Sequence, residues 1–164
     1  MIDKKAAPAA ARFMHLRLWS IDFDSAYWTL KAVERAPDES VAMALVRDSV
    51  VTYCRPFTTS SHKQKLDSKE VPMEYRSLHI ELWELRNKQF AHTDLNLHLP
   101  KAMWLGRGDS ATLITSCKSF GHQQLLPRRE GIERLFLAMR NKADQLCVKT
   151  QQYLESIGVL ERPV

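Results

Sequence analysis

Glycine is scarce in this chain, five residues in 164. That argues against a turn-rich all-β fold, whose tight turns need small residues, and favours long helices. Cysteine is scarce too: Cys54, Cys117 and Cys147 are an odd number, far apart, and form no CxxC pair. Neither a disulfide framework nor a zinc site is indicated. The six histidines are scattered, so no metal or other cofactor is expected, and nothing points to a Cys–His nucleophilic pair. Three unpaired thiols fit a reducing compartment, so a cytoplasmic location is expected. No apolar run approaches the ~20 residues of a bilayer-spanning helix, and no membrane association is expected. The opening stretch MIDKKAAPAAARF carries Lys4 and Lys5 followed by small residues rather than a leucine-rich run. It does not read as a signal peptide. Residues 1–11 are expected as a flexible tail, 12–158 as a single helical domain, and 159–164 as a short C-terminal tail.

What is present is ordinary for a folded domain: 45% apolar and 26% charged residues. The length suits one hydrophobic core. The net charge of +5 and pI of 9.2 permit contact with a nucleic acid or another anionic surface, without requiring it.

Four helical segments stand out. The first is expected over about 20–36, capped by Ser20 or Asp22. Tyr27, Leu30 and Val33 continue an apolar spacing begun by Ile21 and Phe23, and Pro37 stops it. Residues 12–19 either extend this helix or form a short piece of their own. The second begins at PDES, with Asp38 or Ser40 as cap. It carries Val41, Leu45, Val46, Val50 and Tyr53 on one side and ends at Pro56. A polar, basic loop follows. The third helix starts near Pro72 and carries Leu78, Leu82 and Leu85 as a stripe, widened by Ile80 and Trp83 and continued by Phe90. Residues 95–126 do not read as helix, and two β-prone runs around GRGD suggest a small hairpin. The last helix runs from about Arg128 to Ile157, between Pro127 and Gly158. The expected fold is all-α: an up-and-down four-helix bundle with a long irregular insertion before the last helix. The length of that helix suits a homodimer contact at its apolar end.

The stretch ELRNKQFAHTD, residues 84–94, closes the third helix with an arginine, an asparagine and a histidine. At about 100° per residue, Arg86 and His92 point roughly 120° apart on a straight helix. For the two to cooperate, the helix must loosen before His92, Arg86 must bend round, or a second copy must complete the site. The structural alternative is plain. Arg86 pairs with Glu81 or Glu84, and His92 sits favourably at the negative end of the helix dipole.

Arg86, the polar Asn87 and then His92, closely followed by Asp94, resemble the signature of the HEPN (higher eukaryote and prokaryote nucleotide-binding) domains. The form is like that of abortive-infection-type and uncharacterised bacterial members. The resemblance implies a helical bundle and, in many members, a metal-independent endoribonuclease of toxin–antitoxin or phage-defence type. It implies a transesterification in which the ribose 2′-hydroxyl attacks the neighbouring phosphorus and the 5′-oxygen leaves. His92 would carry the proton, Arg86 would hold the phosphate, and Asn87 would orient His92 or hold the phosphate. Glu84 or Asp94 would fix the histidine's tautomer. YCRPF, residues 53–57, looks like a second family element through Tyr53 and Arg55, against the plainer reading of a core tyrosine and a surface arginine. Such enzymes pair two motifs across a homodimer, which would supply two histidines. Lys63, Lys65 and Lys69 in the basic loop, with Arg128 and Arg129, offer charges to an RNA backbone, or are ordinary solvated charges. An antitoxin-like protein is a further expected partner. Two other readings stand beside this one: a non-catalytic module binding a nucleotide, nucleic acid or partner, and a helical dimer of unrelated function.

Overall fold

The computed structural model describes residues 6–58, 64–90, 100–105, 112–117 and 124–159. Helix α1 spans Ala6–Ala32, so it begins well before the expected start near residue 20, and 6–11 belong to it rather than to a tail. The run AAPAAA explains this. Alanine has the best intrinsic helix propensity, and Pro8 falls in the first turn, where its missing N–H leaves no bond unmade. Leu16, Trp19, Phe23, Ala26 and Leu30 are buried at alternating spacings of three and four, one face of a helix. Ile21, expected on that face, is 58% exposed. Together with Met14, Leu18 and Trp28 it forms a second apolar strip facing away from the core. The helix tightens into a 3₁₀ turn at Val33–Arg35. Ala36 then turns extended, ψ 131°, as the residue before Pro37 must.

Helix α2, Glu39–Cys54, is capped as the sequence suggests: the Asp38 side chain accepts a hydrogen bond from the Val41 N–H at 2.9 Å. Val46, Val50 and Tyr53 are buried, whereas Val41 is exposed. A 3₁₀ turn at Arg55–Phe57 closes it around Pro56. Helix α3, Arg76–Leu85, follows a 3₁₀ turn at Met73–Tyr75. It buries His79, Leu82 and Leu85 and leaves Ile80 exposed. The antiparallel pair β1 (Pro100–Leu105) and β2 (Thr112–Cys117) is the suggested hairpin, in register from Pro100 opposite Cys117 to Leu105 opposite Thr112. Helix α4 runs Arg129–Ser156. It ends on Gly158, whose φ of 69° favours glycine. The N–H groups of Val159 and Gly158 bond back to Leu154 and Glu155, satisfying carbonyls the helix end leaves open.

The fold is an all-α helical bundle in which α1 packs along α4 and against α2. Tyr53 lies at the centre. It stacks on Phe136 with ring centroids 4.6 Å apart and meets Phe23 at 5.7 Å. Burying each such side chain contributes about 1.5–3 kcal/mol. Polar ties join α4 to the C-terminal half of α1 and to the 3₁₀ turn that follows it. Ser20 bonds Asp144 at 2.6 Å, Asp24 pairs with Arg140 at 2.8 Å, Lys31 reaches Glu133 at 3.4 Å, and Glu34 pairs with Arg129 at 2.8 Å. Partners on α4 descend in number as those on α1 ascend, so the helices are antiparallel. Among the described residues, no helix is long and apolar enough to cross a membrane.

Candidate nucleic-acid site

The hydrogen-bond pattern of α3 changes where the motif begins. The Arg86 N–H is shared between the carbonyls of Leu82 and Trp83. The chain then widens into a π-helical turn over Arg86–Phe90. Such a turn re-aims side chains relative to a straight helix and is frequent at functional sites. One of the three expected routes to a working motif was a loosening of the helix before His92. The π turn is such a loosening. His92 and Asp94 themselves lie outside the described residues, as does Lys63.

Arg86 is half-buried, and its Nη1 donates to Asn87 Oδ1 at 2.8 Å. The carboxylates expected to neutralise it are engaged elsewhere: Glu81 takes Arg128, and Glu84 takes Lys88 at 3.1 Å. No ion pair joins Arg86 to any described residue. A guanidinium carries five N–H donors, and an amide oxygen satisfies one without cancelling the charge. The Asn87 amide oxygen thus holds one nitrogen of the Arg86 guanidinium.

Arg86 also lies near Cys54, whose thiol is pushed up to about 12 by burial, the arginine's charge opposing this only in part. Cys54 Sγ faces the Leu82 carbonyl at 3.9 Å. It stays a neutral thiol at pH 7 and is no nucleophile. Burial raises Cys147 in the same direction.

Tyr53, expected as a supporting site residue, is fully buried and cannot touch a substrate. Its hydroxyl is 2.8 Å from Nδ1 of His79. Burial lifts the phenol well above its usual range and lowers His79 from its ordinary value, so the pair is a neutral phenol on a neutral imidazole. His79 was absent from the sequence expectations. Its signal was its place three residues before Leu82 and seven before Arg86, on the buried side of α3. Arg55 is exposed and pairs with Asp22 at 3.5 Å, so the plainer reading of YCRPF holds for both residues.

Arg128 and Arg129, offered as RNA contacts, each pair with a carboxylate. Arg128 joins α4 to α3 through Glu81, and Arg129 joins it to α1 through Glu34 while contacting Glu133 in its own helix. Glu84 is exposed and bonded to Lys88. Lys65 and Lys69 are exposed, in keeping with a basic loop. Lys65 borders a cleft of about 490 Å³ whose wall includes Phe57, Asp67, Ser68, His79 and Trp83. Among the described residues, no three His, Cys, Asp or Glu side chains cluster as metal ligands. Comparison of the chain with protein-family models, curated proteins and solved structures gives no match.

Proposed function

We propose that this chain is a HEPN-like endoribonuclease of toxin or phage-defence type, acting in the cytoplasm on RNA without a metal. The observation that carries the reading is Arg86. It is a half-buried arginine with no carboxylate among the described residues, held by the neighbouring amide of Asn87 and set on a π turn shortly before His92. An arginine kept charged and partly desolvated is suited to a phosphate, which it grips with two parallel hydrogen bonds. In the proposed reaction the 2′-oxygen forms a bond to phosphorus as the bond to the 5′-oxygen breaks. His92 takes the 2′-hydroxyl proton, and a second imidazole returns one to the departing oxygen. Arg86 stabilises the added negative charge at the five-coordinate stage. The second histidine comes from another copy in a homodimer. Exposed apolar groups available for pairing are Val148 and Tyr153 on α4 and the longer α1 strip of Met14, Leu18, Ile21 and Trp28. An antitoxin-like protein is the alternative occupant of such a face.

Incubation with mixed RNA in EDTA tests this. Cleavage that leaves 2′,3′-cyclic phosphate ends and disappears in His92→Ala supports it. A dimeric wild type that leaves RNA intact defeats it. The second reading, a binding module without catalysis, draws on the cleft beside His79, which joins aromatic walls to a lysine and could hold a ligand whether or not the chain cleaves it.

A further inference from the structure

His79 and Trp83 are one helical turn apart on α3, with Arg86 and Asn87 on the next. His79 to Arg86 is seven residues, which brings both to nearly the same side of a helix. The axial separation is roughly 10 Å for that pair and about 6 Å from Trp83 to Asn87. The structure bears this out on the α2 side, where His79 meets Tyr53 and Arg86 lies near Cys54. The cleft and the guanidinium thus lie along one strip of α3.

The cleft has the makings of a ring-binding site. Its volume lies within the range of small-molecule pockets. Phe57 and His79 pack with centroids 4.4 Å apart, and the His79 and Trp83 rings lie 6.5 Å apart with their planes inclined by 29°. Trp83 is only partly buried, so it retains indole surface for a ligand. His79 itself is 5% exposed, and its Nδ1 is committed to Tyr53. Among the described residues, its Nε2 has no partner. Whether the phenol donates to Nδ1 or accepts from it, the neutral ring offers one hydrogen-bonding position at Nε2. Asp67 and Ser68 add an acceptor and a hydroxyl, and Lys65 a cation, at the same wall. Flat aromatic surface, fixed polar groups for an edge and a lysine together match a nucleobase attached to a phosphate.

We infer that this cleft binds one unstacked base of a single-stranded RNA whose neighbouring phosphate lies on Arg86. The inference deepens the endoribonuclease reading and takes its substrate from it. The base stacks on Trp83, its edge meets His79, Asp67 and Ser68, and Lys65 balances a backbone charge. Duplex RNA does not fit, because its bases are stacked and paired.

The test uses the full chain and a fluorescently labelled five-nucleotide RNA made resistant to cleavage by 2′-O-methyl groups, with binding read by anisotropy. Trp83→Ala is expected to weaken binding roughly tenfold or more, the value of one stacked base. Lys65→Glu, an exposed change that leaves the core alone, is expected to weaken it several-fold and more so at low salt. Circular dichroism establishes that each variant is folded. Folded variants that both bind like the wild type overturn the inference, whether or not the wild type cleaves RNA. Trp83-dependent binding by a protein that leaves cleavable RNA intact supports the cleft and defeats the endoribonuclease reading. Nucleoside 5′-monophosphates that bind as tightly as the oligomer move the site to free nucleotides and overturn the assignment to a strand.

Discussion

The α1–α4 seam and the C-terminal end of α3 use the same residue type in opposite ways. Along the seam, Arg140 sits on Asp24 at 2.8 Å and Arg129 on Glu34 at 2.8 Å. Each of these two arginines has a carboxylate on the neighbouring element, and the pair ties the two elements together. At the end of α3, Arg86 has two glutamates within five residues in sequence, and both bond other cations. A half-buried charge that has no carboxylate among the described residues costs folding free energy unless something else answers it. Proteins retain such arrangements where a ligand supplies the missing charge. The count of arginines therefore says little about anion binding, whereas the partners of each arginine say much.

The comparison breaks first at activity. Arg86→Ala is expected to lower the RNA cleavage rate by about 10²–10³-fold, the cost of one transition-state donor. Arg140→Ala should leave the cleavage rate of the folded protein within a small factor of the wild type. Single-turnover rates on one RNA measure both, and equal losses would erase the distinction.

Next comes the Tyr53–His79 pair. Tyr53→Phe removes the hydroxyl from a buried imidazole nitrogen and is expected to cost about 1–3 kcal/mol, read from urea denaturation. His79 also predicts a pH dependence. Burial makes its folded pKa lower than its unfolded value of about 6.5, so the unfolded chain binds more protons and stability rises with pH through this range. The stabilisation is complete above about pH 6.5 and is lost as pH falls from there through the folded value. His79→Gln should flatten this part of the stability–pH curve. A curve unchanged by the substitution would mean that other groups set it.

The smallest effect separates the two arginine environments by stability alone. Arg140→Leu breaks a partly exposed ion pair and is expected to cost no more than about 1 kcal/mol. Arg86→Leu removes a charge with no carboxylate among the described residues and should leave Tm unchanged or slightly raised. If Arg86→Leu instead proves the more destabilising of the two, Arg86 belongs with the structural arginines of the seam.

Much of the fold was legible where the signal is local. Asp38 reads as a cap because its side chain bonds an N–H three residues on, and Pro37 fixes Ala36 through their shared peptide bond. The hairpin around GRGD and the glycine end of α4 are equally local. The start of α1 was not legible, because alanine carries no periodicity and a proline in a first turn resembles a break. Ile21 was assigned to the buried face because α1 is apolar on two sides, and spacing cannot say which one a core covers. The motif at Arg86 was visible as residues, but its electrostatics were not. Glu81 is five residues from Arg86 in sequence and yet bonds Arg128, 47 residues away. The Tyr53–His79 pair spans 26 residues and joins two helices, so neither residue announces the other.

The most direct test of the central claim is end-group analysis of RNA after incubation with equal amounts of folded wild type, Arg86→Ala and Arg128→Ala in EDTA. The wild type and Arg128→Ala are expected to yield 2′,3′-cyclic phosphate and 5′-hydroxyl ends, and Arg86→Ala almost none. Intact RNA with a dimeric wild type, or equal cleavage by Arg86→Ala, would contradict it.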